Sequence, residues 1–216
     1  YEIGSGLVGS EMCIRDRQFP MREKRIREKM LDSIQELVKS FVDENITMLK
    51  ERKFGFLGHC SGSIVAYEAA KYAKEAYGIE PEIMFVSSCY APDDYSAPAL
   101  SSLDDEDLLN VIKDAGYVTQ ELLDNPFMFE YFAPIARKDF YIQENYKNEA
   151  TQKLNTPIVA MYGNKDTALE NKDAIHNWKN YTTSDFTIEE FEGSHFYLEK
   201  ELDKVAVTID RKMMEV

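Results

Sequence analysis

Short apolar runs alternate with longer amphipathic stretches along most of this 216-residue chain. The runs that have the length of a buried strand stand at 54–57, 83–86, 157–163 and 186–191. A helical stretch at 64–76 separates the first two runs, and further helical patterns separate the others. Because strand and helix alternate, the pattern predicts an α/β protein with a mostly parallel sheet and right-handed crossovers.

A second pattern precedes the first run. Its apolar residues recur at steps of four, four, three and four, which is the spacing of one helix face. They are Ile26, Met30, Ile34, Leu37 and Phe41. The spacing predicts an amphipathic helix that begins near the first of them and ends at about Leu49.

Residues 100–146 interrupt the alternation of strands and helices. Acidic residues at 104–106 precede the apolar spacing, so a first helix is expected to begin there. A second helix is expected to begin near Thr119, and a third to span 127–146 with an interruption near Pro134. The pattern therefore predicts a helical insertion between two strands of the sheet.

Residues 1–17 differ from the rest of the chain. They show no sustained period, no helix cap and no initiator Met, and they resemble the translation of a sequencing adapter. We expect a foreign or disordered leader over 1–17 and one domain over 18–216.

Candidate chemistry begins where the first strand ends. Gly58, Cys60 and Gly62 stand at alternate positions between strand and helix, which is the G-x-S-x-G nucleophile elbow of α/β-hydrolases with cysteine in place of serine. We expect both glycines to be required because a side chain at either position would collide with the packed strand and helix. The N–H of Ser61 would then stabilise a developing oxyanion.

Two further residues follow later strands in the order expected of this fold. Asp166 comes after the third run and His195 after the fourth, so the chain order is nucleophile, acid, histidine. Cys60 would attack as a thiolate, His195 would deprotonate it, and Asp166 would hold the imidazole tautomer. Ser61 is the rival nucleophile, one place out of register.

Composition narrows the choice of partners and compartment. The net charge of −14 argues against binding to nucleic acid or to an anionic membrane surface. No apolar run approaches the roughly 20 residues that span a membrane. The three cysteines show neither zinc-ligand nor disulfide spacing, so we expect a cytoplasmic protein without a metal. We also expect it to act as a monomer.

Several stretches resemble the type II thioesterases, the stand-alone editing enzymes of nonribosomal peptide and polyketide synthesis. The elbow at 56–62 is similar to that family's G-H-S-M-G motif, and 163–166 and 193–196 match its acid and histidine loops. Residues 103–109 and 136–140 resemble its lid helices. The resemblance implies an α/β-hydrolase fold with helices on both faces of the sheet and a lid at about 100–146.

The resemblance also implies a substrate. It predicts hydrolysis of acyl or aminoacyl thioesters on the phosphopantetheine arm of an acyl or peptidyl carrier protein, with no other cofactor. Leu108, Ile112 and Phe132 of the insertion, together with His59 beside the elbow, would line the binding site.

The chain departs from this family in two respects. Cysteine replaces the usual serine, so the acyl-enzyme would itself be a thioester, and deacylation by water would decide between hydrolase and transferase. The family's opening strands and its F-P-x-A-G-G loop are absent, so we expect an N-terminally truncated, poorly active fragment. Two alternatives remain open, a non-catalytic module that binds carrier protein or acyl groups and a general ester or lipid hydrolase.

Overall fold

The computed structural model describes residues 18–116, 118, 125–149 and 152–216. Within them, 38–95 and 148–216 form one compact unit, here called the sheet unit. Residues 19–37 and 96–147 form a second, here called the helical unit. The predicted leader at 1–17 and the helix start predicted near Thr119 lie outside the described residues.

The sheet unit contains four parallel strands in the order in which they follow one another along the chain. They are β1 (Gly55–His59), β2 (Ile83–Ser87), β3 (Ile158–Gly163) and β4 (Phe186–Phe191). Each of the four predicted apolar runs thus forms a strand, and the predicted parallel sheet is confirmed.

The described helices lie before, between and after these strands along the chain. The α-helices are α1 (Ile34–Glu51), α2 (Ser61–Tyr77), α3 (Asp105–Asp114), α4 (Pro126–Glu144), α5 (Tyr197–Lys200) and α6 (Leu202–Met214). Two 3-10 segments span Glu23–Arg25 and Lys172–Tyr181. No helix among the described residues combines the length and the apolar composition needed to cross a membrane.

Strand β2 is buried along its whole length. Its residues Ile83 and Phe85 pack in one cluster with Val205 and Ile209 of α6. Side chains alternate along a strand, so Met84 points to the opposite face, and it is fully buried as well. Both faces of the sheet are therefore covered at β2, as expected of a parallel sheet.

Helix α1 begins later than the apolar spacing predicts. Ile26 is 50% exposed and lies before the helix, so the predicted start was wrong. The Ser33 hydroxyl accepts the Glu36 N–H at 3.1 Å, and the Glu36 carboxylate accepts the Asp32 N–H at 3.0 Å. This reciprocal cap satisfies the N–H groups of Glu36 and Asp32 and fixes the helix start at Ile34.

The helical unit confirms one predicted helix boundary and corrects another. Asp104 precedes α3 and its carboxylate accepts the Asp107 N–H at 2.9 Å, so the predicted acidic start is confirmed. Helix α4 runs without a break through Pro134, so the predicted interruption was wrong. Ala133 and Ile135 on either side are buried, and this packing outweighs the hydrogen bond that proline removes.

Candidate active site

Cys60 occupies a sharp turn between β1 and α2. Its φ of 53° lies in the left-handed region, which non-glycine residues rarely adopt. Two backbone hydrogen bonds hold the turn, from Cys60 N–H to the Ser87 carbonyl at 2.8 Å and from Ser63 N–H to the Cys60 carbonyl at 2.9 Å. The strained elbow predicted from the sequence is therefore present, and β2 helps to hold it.

The two glycines of the elbow differ in the space available for a side chain. A Cβ at Gly58 would lie 2.2 Å from the Gly62 carbonyl oxygen, so only glycine fits beside the first turn of α2. A Cβ at Gly62 would meet nothing within 4 Å. The expectation of a collision at Gly62 was wrong, because that position faces open space.

Ser63 fixes the elbow from inside and was missed by the sequence analysis. Its fully buried hydroxyl lies 2.9 Å from the Gly58 carbonyl and 3.2 Å from the Ser87 carbonyl, and it accepts the Ser87 N–H at 3.0 Å. One hydroxyl thus joins β1, β2 and α2. Nothing in the local sequence distinguishes this serine from Ser61.

The loops after β3 and β4 bring Asp166 and His195 together. The Lys165 N–H donates to the Gly193 carbonyl at 2.8 Å, and a Cβ at Gly163 would lie 2.4 Å from that same oxygen. The loops therefore touch backbone to backbone. As a result, His195 Nδ1 lies 3.0 Å and 3.2 Å from the two carboxylate oxygens of Asp166.

The electrostatics of this pair favour a charged imidazole. Burial lowers the pKa of His195, but Asp166 and the nearby Cys60 thiol outweigh burial and raise that pKa to about 9. Burial raises the pKa of Asp166, yet His195 and Ser88 outweigh it and leave the carboxyl pKa below its usual value. His195 Nε2 is buried without a hydrogen-bond partner among the described residues, which leaves it available for proton exchange.

His59 lies beside this pair, with its ring centroid 4.9 Å from that of His195. Its Nδ1 lies 2.9 Å from the Ser87 hydroxyl, which is itself 2.7 Å from the Tyr197 hydroxyl. Burial and the neighbouring His195 lower the pKa of His59 to about 4. His59 is therefore a neutral imidazole near pH 7, held by a buried polar network that the sequence analysis did not predict.

The other predicted site residues lie in the first turn of α2 and in the helical unit. Ser61 is the first residue of α2, so its N–H belongs to the free end of the helix. Leu108 and Ile112 are 0% and 1% exposed in the apolar core of the helical unit, and Phe132 packs against the same cluster. The structure shows a packing role for these three, and their predicted part in binding substrate stays a prediction.

A comparison with protein families decides the class of this chain. The thioesterase domain family matches residues 6–213. This chain belongs to the thioesterase family.

Known thioesterases resemble the chain in sequence and in fold. Thioesterase PikA5 of Streptomyces venezuelae is 26% identical over 197 residues, which cover 91% of this chain and 70% of that protein. The RedJ thioesterase from the prodiginine pathway of Streptomyces coelicolor superposes with a TM-score of 0.81 at 26% identity, over 89% of this chain and 76% of RedJ.

A third relative is identified as a type II enzyme. YbtT, a type II thioesterase from the yersiniabactin NRPS/PKS pathway, gives a TM-score of 0.80 at 25% identity, over 89% of this chain and 78% of YbtT. The predicted resemblance to type II thioesterases and the predicted α/β-hydrolase fold are confirmed. The thioesterase is accordingly an enzyme that hydrolyses thioesters.

Proposed function

We propose that this thioesterase releases acyl or aminoacyl groups from the phosphopantetheine arm of an acyl or peptidyl carrier protein. The similarity to thioesterases of NRPS/PKS pathways supports this substrate class. The observation that carries the assignment of residues is the Asp166–His195 pair, whose imidazole pKa responds to the Cys60 thiol on the elbow. Cys60 is the proposed nucleophile, His195 the proposed base and Asp166 its partner.

In the proposed acylation, His195 already holds the proton of the Cys60 thiol on Nε2 as an imidazolium, because its pKa is raised to about 9. Asp166 accepts a hydrogen bond from Nδ1 and stabilises that imidazolium. The N-terminus of α2 favours the thiolate, because free N–H groups there carry partial positive charge. The thiolate attacks the thioester carbonyl, and the Ser61 N–H stabilises the oxyanion.

The tetrahedral adduct then expels the pantetheine sulfur, which takes a proton from His195. For deacylation, neutral His195 takes a proton from water as the water oxygen bonds to the acyl carbon. The bond from that carbon to the Cys60 sulfur then breaks, the free acid leaves, and the proton stays on His195 beside the Cys60 thiolate. His59 lies next to His195 but does not compete for this proton, because its pKa of about 4 keeps it neutral near pH 7. We further propose that the enzyme acts as a cytoplasmic monomer and needs no cofactor beyond the arm of its carrier protein.

The nucleophile is tested by three single variants, with free acid release from an acyl-carrier protein as the measurement. Cys60→Ala should abolish turnover above the uncatalysed rate, and Ser61→Ala should keep most of it because its backbone N–H remains. Cys60→Ser should remain active, since serine is the usual nucleophile of the family. If Ser61→Ala lost activity and Cys60→Ala retained it, Ser61 and not Cys60 would be the nucleophile.

Alkylation tests the non-catalytic alternative without any acyl substrate. Cys89 is 6% exposed, and burial raises the pKa of its thiol well above the usual value. A catalytic Cys60 should therefore react with iodoacetamide far faster than Cys89, and His195→Ala should slow the reaction. Equal rates at the two cysteines, read by peptide mass spectrometry, would favour a binding module that has lost catalysis.

A further inference from the structure

A cysteine nucleophile on the elbow has a consequence beyond hydrolysis. This consequence rests on the proposed role of Cys60. When the nucleophile is a thiol, acylation exchanges one thioester for another. The bond broken, between the acyl carbon and the pantetheine sulfur, is of the same kind as the bond formed to Cys60. The acyl-enzyme is therefore as activated toward a thiol as the substrate was.

The structure also makes Cys60 a good leaving group. Its side chain makes no capping hydrogen bond, so the N-terminus of the 17-residue α2 remains free to stabilise negative charge on the sulfur. His195 stabilises the same charge as an imidazolium, because the thiol and Asp166 raise its pKa to about 9. A thiolate that is well stabilised leaves quickly when another thiol attacks the acyl group.

Two acceptors compete for the acyl group on Cys60. Water has a pKa near 15.7, whereas an ordinary thiol has one of about 8.5, so His195 deprotonates a thiol far more readily. A thiolate is also the stronger nucleophile toward a thioester carbonyl. Transfer to a second thiol therefore outpaces hydrolysis whenever such a thiol can reach the acyl-enzyme.

We propose that this thioesterase also transfers acyl groups from one pantetheine thiol to another through Cys60. The acyl carbon of the Cys60 thioester forms a bond with the acceptor sulfur and breaks its bond with the Cys60 sulfur. His195 takes the proton from the acceptor thiol and returns it to Cys60. The step consumes no water, oxidant or further reactant, and the acceptor class is a thiol on a pantetheine arm.

The experiment measures two products from one donor. The full chain is incubated at pH 7 with a short acyl-N-acetylcysteamine thioester and an excess of free pantetheine. Acyl-pantetheine and free acid are then quantified by liquid chromatography with mass detection. Cys60→Ala supplies the uncatalysed exchange rate, which is subtracted, and Cys60→Ser is the matched control.

The expected result is an exchange-to-hydrolysis ratio above about tenfold for the parent enzyme, because a thiol gives up its proton far more readily than water does. The ratio should fall by at least about tenfold in Cys60→Ser, because its acyl-enzyme is an oxygen ester that a thiol attacks unfavourably. Hydrolysis without exchange in the parent would overturn this inference alone, as would equal ratios in parent and Cys60→Ser. Neither product above the Cys60→Ala rate would overturn the proposed thioesterase activity as well.

Discussion

The two halves of the candidate site are built from different interactions. The elbow half, 58–63 with Ser87, is held by hydrogen bonds between neutral groups, and a missing side chain at Gly58 makes room for α2. The loop half, 163–166 and 193–195, joins a carboxylate to an imidazole whose pKa is raised to about 9. The elbow half supplies shape and the loop half supplies charge.

The pKa values of the two histidines illustrate this difference between the halves. Their rings are 4.9 Å apart, yet the pKa of His59 falls to about 4 while that of His195 rises to about 9. His59 is desolvated by burial and meets a hydroxyl, whereas His195 meets a carboxylate and a thiol. Only one imidazole of the pair is therefore charged near pH 7.

Removing the charge of the loop half should have the largest effect. In Asp166→Asn the pairing with His195 Nδ1 loses its charge, so the imidazolium and its tautomer are no longer favoured. We expect kcat/KM toward an acyl-carrier protein to fall by about 10³–10⁴-fold. The alkaline limb of the activity–pH profile should also move to lower pH, because the carboxylate no longer raises the pKa of His195. A loss below tenfold would mean that charge in the loop half is dispensable.

Disturbing the shape of the elbow half should have the next largest effect. In Gly58→Ala the new methyl group would lie 2.2 Å from a backbone oxygen, so α2 must move away from β1. A displacement of this kind costs roughly 10²-fold in activity and about 1–3 kcal/mol of stability. Steady-state kinetics and urea denaturation of the purified variant measure the two effects.

Gly62→Ala is the matched control for this substitution. Its methyl group meets nothing within 4 Å, and the position lies in the first turn of α2. Alanine is a better helix former than glycine, so stability should be unchanged or increase by up to about 1 kcal/mol. Equal damage from both substitutions would show that the elbow does not depend on close packing at Gly58.

A further expected effect is on stability, as a function of pH. Unfolded His59 has its ordinary pKa of 6.5 and the folded residue one of about 4, so the unfolded chain binds more protons between these values. This contribution makes stability fall by on the order of 2–3 kcal/mol as the pH drops from 6.5 to 4. His59→Asn, which can still bond to Ser87, should flatten that part of the curve.

His195 should act in the opposite pH range. Its folded pKa is raised to about 9, so its contribution to stability is complete below pH 6.5 and is lost as the pH rises through 9. His195→Asn should flatten the curve there, and it should also weaken the acidic fall in part, because His195 is the smaller of the two causes that lower the pKa of His59. The difference between variant and parent denaturation curves, taken across pH 4.5–9.5 in steps, isolates each contribution. An alkaline range that His195→Asn leaves unchanged, or that His59→Asn flattens equally, would contradict the opposite pKa shifts.

Much of the site was predictable because parallel strands end at one edge of their sheet. Cys60, Asp166 and His195 each follow an apolar run, and the register of the sheet brings three strand ends into reach of one another. A local pattern was thus sufficient to group residues that are far apart in sequence. The capping box at 33–36 was equally visible and would have corrected the start of α1.

The polar network around the elbow could not be predicted in this way. Ser87 and Tyr197 are 110 residues apart, and each has the same local pattern that a merely buried serine or tyrosine would have. Whether a buried hydroxyl meets a partner depends on side-chain directions from several elements at once. Similarly, only the packed backbone reveals that Gly58 has no room for a methyl group and that Gly62 does.

The hydrogen bonds of Ser87 also set the order in which the enzyme can gain reactivity as it folds. Ser63 and Ser87 are 24 residues apart, and Asp166 and His195 are 29 residues apart, so both contacts close long loops. Such contacts between parallel strands form slowly compared with a local helix or hairpin. The Cys60 thiol therefore acquires its environment only after β1 has paired with β2 and the two loops have met. Pulsed alkylation of Cys60 during refolding would then record sheet assembly through the chemistry of a single atom.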